Sequence, residues 1–199
     1  MDNEELIKES YLKERRAIGI TGILLPLLCW LSCLPTPDKP EGWCESLSAT
    51  YHLSPVLPMV LSIVSCFLFT YEGYDLRDRI VNKTSAIAAL TVAIFPCSVD
   101  WVGDNVGIFN LPKDVSNIIH CTAAILLFTS FMVNICFNFT LGHSDNNKWY
   151  YIISGAMVVL PVPIILLGGD MKVFWCETVE LLLFGTAWLI KGRWLSKNS

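Results

Sequence analysis

Five ionisable side chains border long apolar segments of this sequence, and their types are those that bind ligands or transfer protons. They are His52, Asp100, His120, Glu177 and Glu180. An ionisable group within a membrane helix is costly and therefore indicates a site. If the segments are membrane helices, all five approach one half of the membrane, and the opposite half contains almost no ionisable residue. With the neighbouring Ser48 and Tyr51, they predict one polar ligand-binding pocket, with Ser48, Asp100 and Glu180 as candidate catalytic residues.

The two glutamates are three residues apart, which places both carboxylates on one face of a helix. Two neighbouring carboxylates in a low-dielectric site resist double ionisation. One of them would therefore share a proton, pair with a histidine or bind a cation. The alternative is that Glu177 and Glu180 stabilise the N-terminal end of their helix, where the helix dipole favours negative charge.

His120 lies among small residues that allow close helix approach. One hypothesis is a zinc (Zn²⁺) site in which His52 and His120 supply nitrogen ligands and Asp100 or Glu180 supplies oxygen, with one position left for water. No HExxH or CxxC pattern accompanies these residues. The structural alternative is that the imidazole binds a backbone carbonyl or Asp100.

Proline and cysteine add two further expectations. Pro161 and Pro163 interrupt an apolar segment, so we expect a kink there. Four cysteines on the polar side of the spans allow three complete disulfide pairings, and the sequence does not choose among them. These are Cys33, Cys44, Cys97 and Cys176. Cys66 and Cys136 are expected to be small core residues.

The segments that position these residues have the length of membrane helices. Hydrophobic residues make up 53% of the 199 residues and charged residues only 16%, whereas soluble domains have about a quarter charged. Six segments approach the roughly 20 apolar residues that a helix needs to cross a bilayer. They are Ala17–Leu34, Pro55–Tyr71, Thr84–Val99, Val115–Phe137, Trp149–Gly168 and Val173–Ile190. The sequence thus predicts an all-α integral membrane protein, a single domain of six transmembrane helices preceded by a lead-in at residues 1–16.

Lysine and arginine predict the orientation of this bundle. Eleven of them, including Lys197, lie on the side of the N-terminus, and three lie on the opposite side. Because positively charged loops stay in the cytoplasm, both termini are expected there and the polar pocket faces outward. The net charge of −4 excludes the basic surface of a nucleic-acid-binding protein.

The order of several motifs resembles that of poorly characterised bacterial six-span membrane proteins and, more remotely, of the eukaryotic DRAM/Frag/Sfk-type proteins. The motifs are Ser46–His52, Tyr71–Asp75, Ala88–Pro96, and His120 followed by Ala123, Ala124 and Phe128. This resemblance covers most of the chain. It implies a role in membrane lipid organisation or stress response, without an established catalytic mechanism.

A second resemblance is to the CREST membrane hydrolases. Ser48 and His52, four residues apart, and Asp100 match the first two parts of the CREST pattern. The late His-x-x-x-His pair and the seventh span are absent, and the sixth span carries Glu177 and Glu180 instead. The resemblance implies metal-dependent cleavage of a lipid ester or amide by metal-bound water.

Three functions follow from this pocket. The first is binding of a membrane lipid or small amphiphile without chemistry, the second is metal-dependent lipid hydrolysis, and the third is proton-coupled transport through Glu180, Asp100 and His120. The composition favours a bacterial inner (plasma) membrane. Formation of a homo-oligomer is left open.

Overall fold

Apolar helices make up most of the chain that the computed structural model describes, namely residues 3–73, 75–142 and 146–193. Tyr74 of the second motif and Lys197 of the charge count lie outside these ranges. The helices are α1 (Asn3–Cys33), α2 (Val56–Thr70), α3 (Leu76–Ile94), α4 (Lys113–Val133), α5 (Asn147–Val159), α6 (Pro161–Leu167) and α7 (Lys172–Lys191). Shorter elements are 3-10 helices at Ser48–His52, Phe139–Gly142 and Gly169–Met171, a π-helix at Asn134–Asn138, and the strands β1 (Asn105–Val106) and β2 (Leu111–Pro112). The two strands are antiparallel, with Val106 opposite Leu111.

Four helical stretches of the described chain are long and apolar enough to cross a membrane. They are Glu4–Cys33, Lys113–Leu141, Asn147–Leu167 and Gly169–Lys191. The surface of the bundle is apolar as well, with side chains such as Ile125 and Leu167 exposed to 70% and 84%. A surface of this kind suits lipid rather than water. The predicted all-α class is therefore confirmed, and the chain has the helices of a membrane protein.

The second and third predicted spans form helices that do not combine the length and the apolar composition of the other four. Helix α2 is apolar but has only 15 residues. Helix α3 starts at Leu76, eight residues before the predicted start of the third span, because Asp75 caps it by accepting a hydrogen bond from the Asp78 N–H (2.8 Å). It ends at Ile94, before Pro96, rather than at Val99. Its first half is therefore charged.

One further boundary differs from the sequence prediction, and another agrees with it. The lead-in is not a separate element, because α1 continues without interruption from Asn3 through the first predicted span. An interruption of the helix at the prolines is confirmed: α5 ends at Val159 and α6 begins at Pro161, since neither proline has an N–H to continue the helical hydrogen bonds.

Glycines set the distance between α1 and α7. A Cβ atom on Gly185 would lie 2.6 Å from the carbonyl oxygen of Gly19, and one on Gly19 would lie 2.8 Å from the carbonyl oxygen of Gly185. At the end of the same contact, the Arg16 Nε donates to the Gly192 carbonyl at 2.8 Å. The two backbones therefore touch, as small residues allow in membrane helix pairs.

An aromatic layer divides the bundle into two ends. The rings of Phe131 on α4 and Phe184 on α7 are stacked with centroids 3.7 Å apart, and Trp188 packs below them. We call the end with the 3-10 helix Ser48–His52 and the start of α7 the Ser48 end. The end with the π-helix, the start of α3 and the last turn of α7 is the Lys191 end. Buried polar side chains occur at both ends.

Candidate functional site

Ser48, His120 and Glu177 form a continuous hydrogen-bonded chain at the Ser48 end. The Ser48 Oγ lies 2.9 Å from Glu177 Oε1 and 3.0 Å from His120 Nε2. The other imidazole nitrogen, Nδ1, is 2.7 Å from the carbonyl oxygen of Phe95. Ser48 and His120 are 8% and 2% exposed. The structure thus brings together three of the residues that the sequence singled out.

Three separate elements hold this hydrogen-bonded chain in place. The Leu47 N–H, at the start of the 3-10 helix, donates to Glu177 Oε2 at 2.6 Å. The Phe174 N–H, in the first turn of α7, donates to the Glu45 carbonyl at 3.0 Å. The carbonyl of Phe95 is available to His120 because α3 has just ended there. The end of a helix and a folded loop therefore position the imidazole and the carboxyl group against one hydroxyl.

A crevice of about 30 Å³ adjoins this chain in the centre of the bundle. Ser48 and Glu177 are its polar lining residues. The remaining lining residues are apolar and come from α1, the loop before the 3-10 helix, α2, α3, α4 and α7: Leu25, Leu47, Leu57, Leu61, Val92, Ala124, Leu127, Phe128 and Leu181. A few polar groups in an apolar wall are typical of ligand sites.

His52 and Tyr51 lie next to the hydrogen-bonded chain of Ser48 but do not join it. The His52 Nε2 is 2.9 Å from the Cys97 carbonyl oxygen, and its ring packs edge-on against Trp101 and Tyr51. Burial lowers the pKa of His52 from its usual value, against the opposing effect of the hydrogen bond to Cys97. Burial also raises the pKa of the Tyr51 hydroxyl. His52 is therefore a neutral, structural imidazole near pH 7.

We expect His52 to make the fold less stable in acid. The unfolded chain binds a proton to His52 as the pH falls through about 6.5, whereas the folded chain resists it until lower pH. Stability contributed by the neutral imidazole is therefore complete above pH 6.5 and is lost below it. Thermal unfolding of the purified protein between pH 5 and 8 measures this, with His52→Gln as the comparison. An equally steep loss of stability in the variant over that range would contradict the assignment.

Asp100 lines a separate, larger cleft. Its side chain is exposed and lines a cleft of about 810 Å³ at the surface of the Ser48 end. Trp43, Trp101, Asp170 and Lys172 also line this cleft. Asp100 is therefore not part of the Ser48 chain.

The predicted metal ligands do not converge. Among the residues that the structure describes, no three histidine, cysteine, aspartate or glutamate side chains are grouped so that they could hold a metal ion. His52 and His120 bind different backbone carbonyls, and Asp100 lines the surface cleft. Glu180 is 8% exposed one turn beyond Glu177 on α7 and makes no hydrogen bond to the described residues. The structure thus provides no ligand set for the zinc hypothesis.

The eight cysteines form no disulfide bond in this structure. All eight are free thiols, so none of the three possible pairings is present. Burial raises the pKa of Cys44 to about 11 and that of Cys97 to about 12, which keeps both thiols neutral. Cys66 is exposed and Cys136 half-buried, so the expectation that they are core residues is wrong for Cys66.

A second polar cluster lies at the Lys191 end, in the half of the bundle where the sequence predicted almost no ionisable residue. Asn138 Nδ2 donates to Asn134 Oδ1 (3.0 Å), Asn134 Nδ2 to Asn82 Oδ1 (2.9 Å), and Asn82 Nδ2 to Asp78 Oδ1 (2.7 Å). These four residues are at most 1% exposed. We call them the amide ladder. Beside it, Lys191 Nζ donates to the Phe139 carbonyl at 2.8 Å.

The sequence contains a signal for this ladder. Asp78 and Asn82 are four residues apart, as are Asn134 and Asn138, so each pair lies on one helix face. The ladder is not predicted because the third span is expected to begin at Thr84, whereas α3 begins at Leu76, two residues before Asp78. Since Asp78 is a carboxylate that accepts, every amide along the ladder must turn its NH₂ group towards it. Asn138 Oδ1 is left at the far end without a hydrogen-bond partner among the described residues.

Comparisons with known proteins give no match for this sequence. No family model matches it, and neither the curated proteins nor the solved structures include a significant match.

Proposed function

We propose that this chain is a six-span membrane protein whose outward-facing polar pocket binds a lipid or another small amphiphile. The four long apolar helices and the apolar outer surface support membrane insertion. Helices α2 and α3 lie between them in the chain and pack on them, which makes six crossings the simplest topology. The excess of lysine and arginine near the Lys191 end supports an orientation with that end in the cytoplasm and the Ser48 end outside. A bacterial inner membrane is the location we propose.

The crevice at Ser48 carries the proposal of ligand binding. Its wall is apolar except for Ser48 and Glu177, which offer a hydroxyl and a carboxyl group at one place. A molecule with a polar group next to a hydrocarbon chain satisfies both features. Because about 30 Å³ holds only one or two small groups, the predicted contact is with a chain end or a linking group rather than a whole lipid.

Filling the crevice is expected to release the ligand. Ala124 on α4 lines it, and phenylalanine at this position would occupy the space that the ligand needs. We expect Ala124→Phe to lower the amount of lipid that copurifies, measured by mass spectrometry of the gently solubilised protein, at least tenfold. The control is Thr122→Phe on the exposed side of the same helix, which is expected to retain lipid. Equal lipid retention in both variants would rule out this site.

Serine-dependent hydrolysis is a second candidate, favoured by the 3.0 Å contact between Ser48 Oγ and His120 Nε2. A histidine in this position can take the hydroxyl proton while Oγ forms a bond to an ester carbonyl, then deliver the proton to the leaving alcohol. Water would hydrolyse the acyl-serine. Incubation of the purified protein with phospholipid vesicles separates the two functions: intact lipid on the protein indicates binding alone. Free fatty acid that disappears in Ser48→Ala indicates hydrolysis.

A further inference from the structure

The hydrogen bonds of the Ser48 chain fix how many protons it holds. A backbone carbonyl only accepts, so His120 Nδ1 must carry the hydrogen that it shares with Phe95. If the imidazole is neutral, Nε2 is an acceptor, and Ser48 gives it its single hydroxyl hydrogen. The Ser48 Oγ then has no hydrogen left for Glu177. The 2.9 Å contact with Glu177 Oε1 consequently requires that the carboxyl group is protonated and donates.

The opposite arrangement satisfies the same contacts. If His120 is an imidazolium, Nε2 donates to Ser48 Oγ and Ser48 donates to an ionised Glu177. Both arrangements have one proton more than neutral His120 with ionised Glu177, and both have zero net charge. Neutral His120 with ionised Glu177 would instead place two acceptors against each other at one of the two contacts, which is unfavourable in a buried site.

We propose that Glu177, Ser48 and His120 form a proton-transfer site that holds one exchangeable proton, relayed by the Ser48 hydroxyl between the carboxyl group and the imidazole. In the transfer, the Glu177 proton moves to Ser48 Oγ as the hydroxyl hydrogen of Ser48 moves to His120 Nε2. The products are a carboxylate, an intact hydroxyl group and an imidazolium, and no electron or other reactant is needed. This inference does not depend on the ligand proposed for the crevice.

The side chains around the site leave the proton exchange to Glu177, Ser48 and His120. Titratable side chains close enough to interact with Glu177 or His120 are Cys29 on α1, His52, Cys97, Cys121 on α4, and Cys176 on α7. Glu180 lies one turn further along α7 and interacts with Cys176. Helix α2 has no acidic or basic residue. Of the neighbours outside α1–α7, Cys97 stays a neutral thiol because burial raises its pKa to about 12, and the lowered pKa of His52 keeps that imidazole neutral.

A count of protons on the full-length protein in lipid nanodiscs tests the proposal. The fraction of protonated Glu177 follows from the infrared carboxylic-acid band that Glu177→Gln removes. The charged fraction of His120 follows from nitrogen NMR, in which the chain's three histidines are assigned by single substitutions. We expect the two fractions to add up to one at pH 7 and to disappear together as the pH is raised. A sum near zero or near two would overturn the proposal.

Changing the bridging hydroxyl tests the relay itself. Ser48→Ala removes the link, so Glu177 and His120 are expected to titrate with separate midpoints, whereas Ser48→Thr keeps a hydroxyl and the common midpoint. A common midpoint that persists in Ser48→Ala would overturn the relay. If Ser48→Ala does not fold, the comparison of Ser48→Thr with the wild-type protein still decides, since separate midpoints in either one would contradict the proposal.

Discussion

Replacing Gly185 by valine is expected to cause the largest loss of stability of any single change considered. A Cβ atom at this position would lie 2.6 Å from the Gly19 carbonyl oxygen and 2.9 Å from the Ile23 backbone nitrogen. Both atoms belong to the backbone of α1, so neither can move aside as a flexible side chain would. The helices α1 and α7 must separate, and we expect a cost of about 3 kcal/mol, at the upper end for overpacked sites.

The measurement is unfolding of the protein in detergent, with Gly155→Val as the matched control. Gly155 also lies within a helix, α5, but a Cβ atom there would have no neighbour within 4 Å. Its replacement is expected to change the free energy of unfolding by less than about 0.5 kcal/mol. If both variants lose equal stability, the close contact of α1 with α7 is not the cause of the loss.

The second large effect is expected from Asn134→Leu in the amide ladder. Leucine has a similar size but leaves the Asn82 Oδ1 and the Asn138 Nδ2 without the partners that they have at 2.9 and 3.0 Å. Each of these groups is buried, so the loss is expected to be about 2 kcal/mol. Thr129→Leu, on the exposed surface of α4 just before the π-helix, serves as the control and is expected to be neutral.

A double-mutant cycle distinguishes the ladder from simple packing. The double variant Asn82→Leu/Asn134→Leu removes both partners of one hydrogen bond together. The combined loss of stability is then expected to be smaller than the sum of the two single losses by about 1 kcal/mol. Additive losses would show that the two asparagines contribute independently and that their hydrogen bond has no net effect on stability.

The two polar layers of the bundle, the Ser48 chain and the amide ladder, also bear on transport, the third function that the pocket suggested. His120 and Asn134 are 14 residues apart on one helical stretch, as are Glu177 and Lys191 on α7, which corresponds to about 21 Å along each axis. The stacked rings of Phe131 and Phe184 fill the space between the layers. The Lys191 end therefore holds buried ionisable side chains, Asp78 and Lys191, but the aromatic layer closes the direct route between the two ends in this structure.

The sequence by itself determined the class of protein, because the requirement for long apolar helices is local. Runs of apolar residues, Pro161 and Pro163 are sufficient to predict helices and the break between α5 and α6. Residue types also identified Ser48, His120 and Glu177 as candidates, since a polar group bordering an apolar run is conspicuous on its own. The start of α3 was missed because its first turns are charged, and only the Asp75 cap and burial of Asp78 explain them.

Only the tertiary structure decided which polar groups meet. Ser48 and Glu177 are 129 residues apart, and Asn82 and Asn134 are 52 apart, so their contacts depend on how separate helices pack. The same packing directs His52 and His120 to different backbone carbonyls and leaves Asp100 at the surface, so the three residues of the suggested metal site do not meet. Side-chain type limits the chemistry that a residue can perform, but the approach of two helices, set here by Gly19 and Gly185 for α1 and α7, determines its partners.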